Sequence, residues 1–205
     1  PQLRLFHSLF HYGFIAFLCF KPRSLRFLFE QFPYRLGEIG IFPAEYDTVI
    51  AHLQQGYIVA YHYEYPSALL NGKKLILLTD EEQFSVRAFC EAAEESRHCL
   101  LAMIPSQFAV MLDHDRFRQA LSHIASLNFF AEPVSENLKE QLRTLLPETS
   151  TVHELYGQTE VFGIGWRDLW DRKPGMRPSP GVQIRLLDED GAEAAPGEKA
   201  QLCVH

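Results

Sequence analysis

From Leu69 onward, short apolar runs alternate with longer segments of helical period, and this alternation admits few architectures other than parallel strands joined by helices. Lys73–Leu78 (KKLILL) reads as a buried strand. Thr79 with Glu82 three residues later has the spacing of a capping box for a helix running towards Arg97. Leu100–Ile104 is the next strand; Pro105 and Ser106 open a helix with Ser106 at its cap, Asp113–Ile124 carries a further helical pattern, and Leu127–Phe130 is the third strand. Ser135-Glu136-Asn137-Leu138 starts a helix that ends before Pro147, and Val152–Leu155 is the fourth strand. Gly163, Gly165, Pro174, Gly175, Pro178, Pro180 and Gly181 then punctuate a long loop, at the strand end where parallel sheets place their ligands. Val182–Leu187 alternates like a strand, Asp188–Gly191 is a hairpin turn, and Leu202–Val204 is the returning strand. The expected fold is α/β: a layered βαβ subdomain over residues 25–174, then the start of a small β subdomain over residues 175–205.

A chain of 205 residues suits one domain or one lobe of a larger enzyme, and 19 Lys and Arg against 26 Asp and Glu give a net charge of −7. That balance offers no basic footprint for nucleic acid or anionic lipid. Cys19, Cys90, Cys99 and Cys203 are scattered without a CxxC pair, which reads as reduced thiols in a cytoplasmic protein. Cys90, on an apolar helix face, and Cys99, at a strand start, read as small core residues. The nine histidines include no pair at metal-ligand spacing. Ser8–Phe20 is apolar but shorter than the roughly 20 residues a spanning helix needs, so no membrane span is expected. Residues 1–24 are read as a targeting segment, a buried element or sequence foreign to the domain, and Pro1 with the open end at Leu202–His205 reads as a fragment.

The most informative string is Tyr156-Gly157-Gln158-Thr159-Glu160, where a strand gives way to a loop. An aromatic ring stacks on a base, glycine admits a ligand to the backbone, a Thr hydroxyl reaches a phosphate, and a Glu carboxylate holds Mg²⁺. Alone, the string is equally a turn with a solvated Thr-Glu pair. Downstream, however, come Gly175-Met176-Arg177-Pro178-Ser179-Pro180-Gly181-Val182 and LLDEDGAEAAPGEKAQLCV; upstream are Ala68-Leu69-Leu70-Asn71-Gly72-Lys73, Ile104-Pro105-Ser106 and Phe130-Ala131-Glu132-Pro133-Val134-Ser135. In that order and spacing the chain resembles the adenylate-forming (AMP-binding) superfamily over residues 66–205. Leu25–Glu38 adds a fainter likeness to its peptide-synthetase branch.

The resemblance implies attack of a carboxylate on the α-phosphorus of ATP, giving an acyl-adenylate, and transfer of the acyl group to a thiol of phosphopantetheine or CoA. Tyr156 would stack on adenine with Gly157 and Gln158 lining the same turn, Thr159 would contact phosphate, and Glu160 would bind Mg²⁺. Thr159 and Glu160 are thus the catalytic candidates, and Ala131 and Glu132 would form the other side of the adenine pocket. The implied partners are a small carboxylic or amino acid and a carrier-protein domain. The alternatives are a fragment of an acyl-CoA synthetase, or a degenerate module of the same fold that no longer catalyses.

Several residues depart from the pattern. Phe130 and Ala131 stand where the family has Gly, Met176 stands where Gly is common, and Ala200-Gln201-Leu202 replaces G-E-L. Nothing in Pro1–Gly72 resembles the Ser/Thr/Gly-rich phosphate loop ending in Lys. Asp47 is either the Asp of the F-D-x-S stretch or a surface carboxylate. Trp166 and Trp170 are either a packed helical turn or a wall of the acyl pocket.

Overall fold

The computed structural model describes residues 45–204 apart from 54–56, 80, 159, 160, 162 and 174. Readings placed on Ser8–Phe20 and Leu25–Glu38 lie outside the described residues.

The main sheet has seven strands: β1 (Thr48–Ala51), β2 (Lys74–Leu77), β3 (Cys99–Met103), β4 (Ile124–Phe129), β5 (Thr151–Tyr156), β6 (Gly165–Asp168) and β7 (Arg177–Pro178), in the order β2-β1-β3-β4-β5-β6-β7. The first five run parallel; β6 returns antiparallel on β5, and β7 antiparallel on β6. A π-helical turn (Ala60–Glu64) and α1 (Tyr65–Leu69) join β1 to β2, and α2 (Val86–Glu94) joins β2 to β3. The β3–β4 connection holds α3 (Pro105–Met111), α4 (Asp115–Ala120) and a 3₁₀ turn (Leu121–His123); α5 (Glu136–Leu145) joins β4 to β5. A separate pair, β8 (Ile184–Leu187) with β9 (Gln201–Val204), is antiparallel.

Parallel strands covered on both faces read as continuous apolar runs, and alternate residues of one run serve two layers. Leu101, Met103, Leu127 and Phe129 face the layer of α2–α5, where Phe89, Phe108, Phe117 and Leu142 are fully buried. The rings of Phe89, Phe117, Phe108 and Phe129 follow one another at centroid separations of 5.0, 5.2 and 5.5 Å. Leu100, Ala102, Phe130, Leu155 and Trp166 face the other layer, with Tyr46, Val59 and Tyr63. The same face carries a buried polar ladder: Asn128 donates to Ser126 Oγ (3.0 Å), Thr151 Oγ1 is 3.1 Å from Ser126 Oγ, and His153 Nδ1 lies 3.2 Å from Asn128 Oδ1.

Helix starts follow local chemistry. Ser135 Oγ accepts the Leu138 N–H and Ser85 Oγ accepts the Ala88 N–H, both at 3.2 Å. The second cap corrects the expected one. Glu82 does reach back to the Thr79 N–H and hydroxyl (2.9 Å each), but that pair closes a turn, and the helix begins only at Val86. Ser106 is likewise not a cap, because Ile104 holds the extended cap position and Pro105 opens α3. The pattern over Asp113–Ile124 divides into α4 and the 3₁₀ turn, with Ile124 already in β4. The stretch read as one long loop contains β6 and β7, so Trp166 lies on a strand rather than on a helical turn. The turn at Asp188–Gly191 closes onto a brief Leu187–Glu193 bridge before β9 returns.

Candidate functional site

A pocket of about 230 Å³ opens at the carboxyl ends of β4 and β5, lined by Phe130 and Ala131 just after β4, by Tyr156 at the end of β5 with Gly157 and Gln158 after it, and by Tyr57–Val59. Five residues singled out in the sequence come near one another here through strand pairing alone, since Ser126–Phe129 run in register with Thr151–Glu154. Tyr156, the last residue of β5, is 40% exposed. Its antiparallel partner is Gly165, where a Cβ would stand 3.0 Å from the Arg177 carbonyl, a tight contact that the glycine relieves between β6 and β7. Gln158 and Val161 exchange backbone hydrogen bonds of 3.0 and 3.2 Å. Thr159 and Glu160 lie outside the described residues.

The β4 side of the pocket is bent by Ala131. Its φ is 71°, and the Glu132 N–H donates to the Phe130 carbonyl across it at 2.9 Å, a three-residue turn in the strained γ geometry. That turn carries Glu132 away from the pocket. Its carboxylate accepts the Ser106 N–H (3.1 Å) and hydroxyl (3.0 Å), tying the loop after β4 to the first turn of α3. Phe130 turns inward against Tyr63, with ring centroids 5.2 Å apart. Behind Tyr156, Glu154 on β5 is almost fully buried and accepts from the Arg167 guanidinium of β6 at 2.6 and 3.0 Å. This cross-strand ion pair locks β6 against β5.

A larger cleft, about 820 Å³, lies at the carboxyl ends of β1 and β3. The order β2-β1-β3-β4 reverses the direction of travel between β1 and β3, which makes this the topological switch point where open α/β sheets take ligands. Leu53, Phe84, Ile104, Val110 and Met111 make its wall mainly apolar, and its polar lining includes His52, Gln83, Ser106, Gln107 and Glu132. Asp47 stands at the other end of β1, where its carboxylate accepts the Arg97 and His98 N–H groups (3.3 and 3.4 Å). It is therefore a surface carboxylate placed away from the cleft.

The model of the AMP-binding enzyme family matches residues 28–205. The chain belongs to that family. Among curated proteins, the mitochondrial acyl-coenzyme A synthetase ACSM3 of Mus musculus is 24% identical over 171 residues, 82% of this chain and 26% of that protein. Its counterpart in Rattus norvegicus is 23% identical over the same shares. The chain thus spans about a quarter of the length of these relatives. Among solved structures, IdnL1 superposes with a TM-score of 0.71 at 18% identity, over 85% of this chain and 37% of that one. ATP-bound MatB from Rhodopseudomonas palustris gives 0.68 at 17% identity, over 84% and 34%. These likenesses carry the fold: a parallel-dominated α/β sheet of the adenylate-forming type.

Against that family frame, the small pocket suits an aromatic base. It pairs a half-exposed Tyr ring with Gly157 and Ala131, and Val59 and Leu155 give it apolar wall beside Gln158. A bound ATP would be held here by Tyr156, Gly157, Gln158 and Ala131, and would supply the phosphorus electrophile. The described residues contain no group of three His, Cys, Asp or Glu able to hold a metal ion, and no helix among them is long and apolar enough to cross a membrane.

Two buried residues escaped the sequence reading. His52, at the end of β1, and Glu64, at the end of the π turn, are both fully buried, and the His52 N–H donates to Glu64 Oε1 at 3.2 Å. Burial lowers the His52 pKa to about 4 and pushes that of Glu64 up to about 8. The available signal was Glu64 itself, a lone carboxylate in the apolar run Tyr57–Leu70.

Proposed function

We propose that this chain is the nucleotide-facing part of an enzyme that activates a carboxylic or amino acid as its adenylate, using ATP and Mg²⁺, and passes the acyl group to a thiol. The observation that carries the reading is the meeting of Ala131 with Tyr156, Gly157 and Gln158 around one pocket in a member of the AMP-binding family. In this reading Tyr156 stacks on adenine, Thr159 contacts the phosphates and Glu160 binds Mg²⁺. Glu132 acts from a distance by holding the loop that shapes the adenine wall. Catalysis of this class rests on positioning and on charge stabilisation at the reacting phosphorus. The acid's carboxylate forms the new bond to the α-phosphorus, and pyrophosphate leaves.

CoA is the favoured acceptor thiol, because the curated relatives are named acyl-coenzyme A synthetases. The string Pro66–Lys74 supports the competing choice, a phosphopantetheinyl carrier domain as in peptide synthetases. We place residues 25–174 in the α/β subdomain and 175–205 at the start of a β subdomain, in a cytoplasmic enzyme.

The test is a nuclear Overhauser experiment on the full chain with AMP. The reading predicts contacts from adenine H2 and H8 to the Tyr156 ring and the Ala131 methyl. Contacts confined to other residues, or none in a folded sample, would leave the family membership as ancestry without the site.

A further inference from the structure

The π turn that joins β1 to α1 adds one residue to a helical turn, and such turns occur mostly as single insertions at functional sites. One inserted residue rotates the following side chain by about 100° around the helix axis. Glu64 is the last residue of this turn, and its carboxyl is directed back at the end of β1, where Oε1 accepts the His52 N–H at 3.2 Å and the Leu53 N–H bonds the same carboxyl. Its other oxygen is buried without a hydrogen-bond partner, and the residue is 0% exposed.

His52 directly follows β1 at the wall of the larger cleft. Its ring meets Phe89 edge-on at 5.9 Å, and both ring nitrogens are buried with no hydrogen-bond partner. Unsatisfied buried nitrogens are costly, and a native structure that keeps a pair of them beside a ligand-sized cleft of about 820 Å³ calls for an explanation. The pairing with Glu64 supplies the mechanical half of one. Burial keeps the Glu64 carboxyl protonated at neutral pH, so it is held at no cost in buried charge while still offering an acceptor to two backbone N–H groups.

We propose that Glu64 is a positioning residue of the cleft: its carboxyl latches the chain at the carboxyl end of β1 and thereby fixes where the His52 imidazole stands in the wall. The acid's apolar body packs along that wall, which the latched end of β1 holds in place. This second statement rests on the adenylation reading; the latch does not.

The experiment compares Glu64→Gln, which keeps the length and an acceptor oxygen, with Glu64→Asp, which keeps the acid but withdraws it by one methylene. Amide hydrogen exchange on the full chain is read at His52 and Leu53, with Val49 and Ile50 of the same strand as controls. The latch predicts that E64Q exchanges within about threefold of the parent. In E64D, His52 and Leu53 should exchange about tenfold faster or more while Val49 and Ile50 stay unchanged. Equal exchange in E64D and the parent would overturn the latch, as would E64Q behaving like E64D or a uniform loss of protection along β1. Titration with octanoate, a carboxylate with an apolar tail, is followed at the His52 imidazole resonance. Comparable affinity in the parent and E64Q, with weaker binding in E64D, supports the cleft's role. If octanoate moves no variant while the exchange pattern holds, the acid assignment fails and the latch stands.

Discussion

At Ala131 the backbone holds a φ of 71°, a conformation in which a Cβ costs roughly 1–2 kcal/mol, part of which glycine would return as greater freedom in the unfolded chain. Ala131→Gly should therefore stabilise the fold by about 0.5–1 kcal/mol. The urea midpoint checks this, and a lower midpoint would show that the turn is not strained. Glu64 makes a pH prediction. Its folded pKa, about 8, lies above the ordinary 4.5, so the folded state binds the extra proton between those values and stability falls as pH rises through that window. His52 and His153, both lowered to about 4 by burial, act oppositely, and their contribution is complete above pH 6.5. From pH 6.5 to 8 the Glu64 decline should stand alone among these three groups, on the order of 1–2 kcal/mol, and Glu64→Gln should remove it. Equal slopes in parent and variant would contradict the buried, protonated carboxyl. Motif residues such as Tyr156 were legible because their types and spacing are local properties of the chain. The positive φ of Ala131 and the burial of Glu64 were not, because a turn's hand and a residue's surroundings are set by distant strands.

Elements were legible where local chemistry and burial agree. The strand over Val152–Leu155 and the helix from Ser135 to before Pro147 are present as β5 and α5, the latter capped by Ser135 and anchored by Leu138 and Leu142. Ser135→Ala should cost about 1 kcal/mol, measurable as a lowered melting temperature, and no change would mean that packing alone starts the helix. Other elements were hidden. β1 is only Thr48–Ala51, too short to display a period, and it is fixed by parallel neighbours on both sides. Thr79 and Glu82 made the expected bonds but in a turn, because a capping-box spacing does not itself continue into a helix. β6 was obscured by the glycines and prolines around it, and pairing with β5 through Glu154 and Arg167 sets its conformation. Arg167→Ala leaves the Glu154 carboxylate buried and unpaired, and should destabilise the fold by roughly 3 kcal/mol in urea unfolding. A loss near zero would assign β6 to backbone pairing alone.

At the scale of the molecule, the switch in strand order creates an opening between β1 and β3, and the adjacent ends of β4 and β5 create a second one among the described residues. The sequence reading found the second because its residues belong to recognisable strings. It passed over the first because that cleft is made by topology, from residues whose types say little about their placement. Phe130 lines the β4–β5 pocket while its ring packs inward against Tyr63. The direct test of the account is calorimetric titration of ATP with Mg²⁺ into the full chain, comparing the parent with Tyr156→Ala and Glu160→Ala. The parent should bind, and each substitution should weaken binding by about tenfold, the equivalent of one stacking or charge-assisted contact. Absence of binding in a folded sample, or binding indifferent to both substitutions, would contradict it.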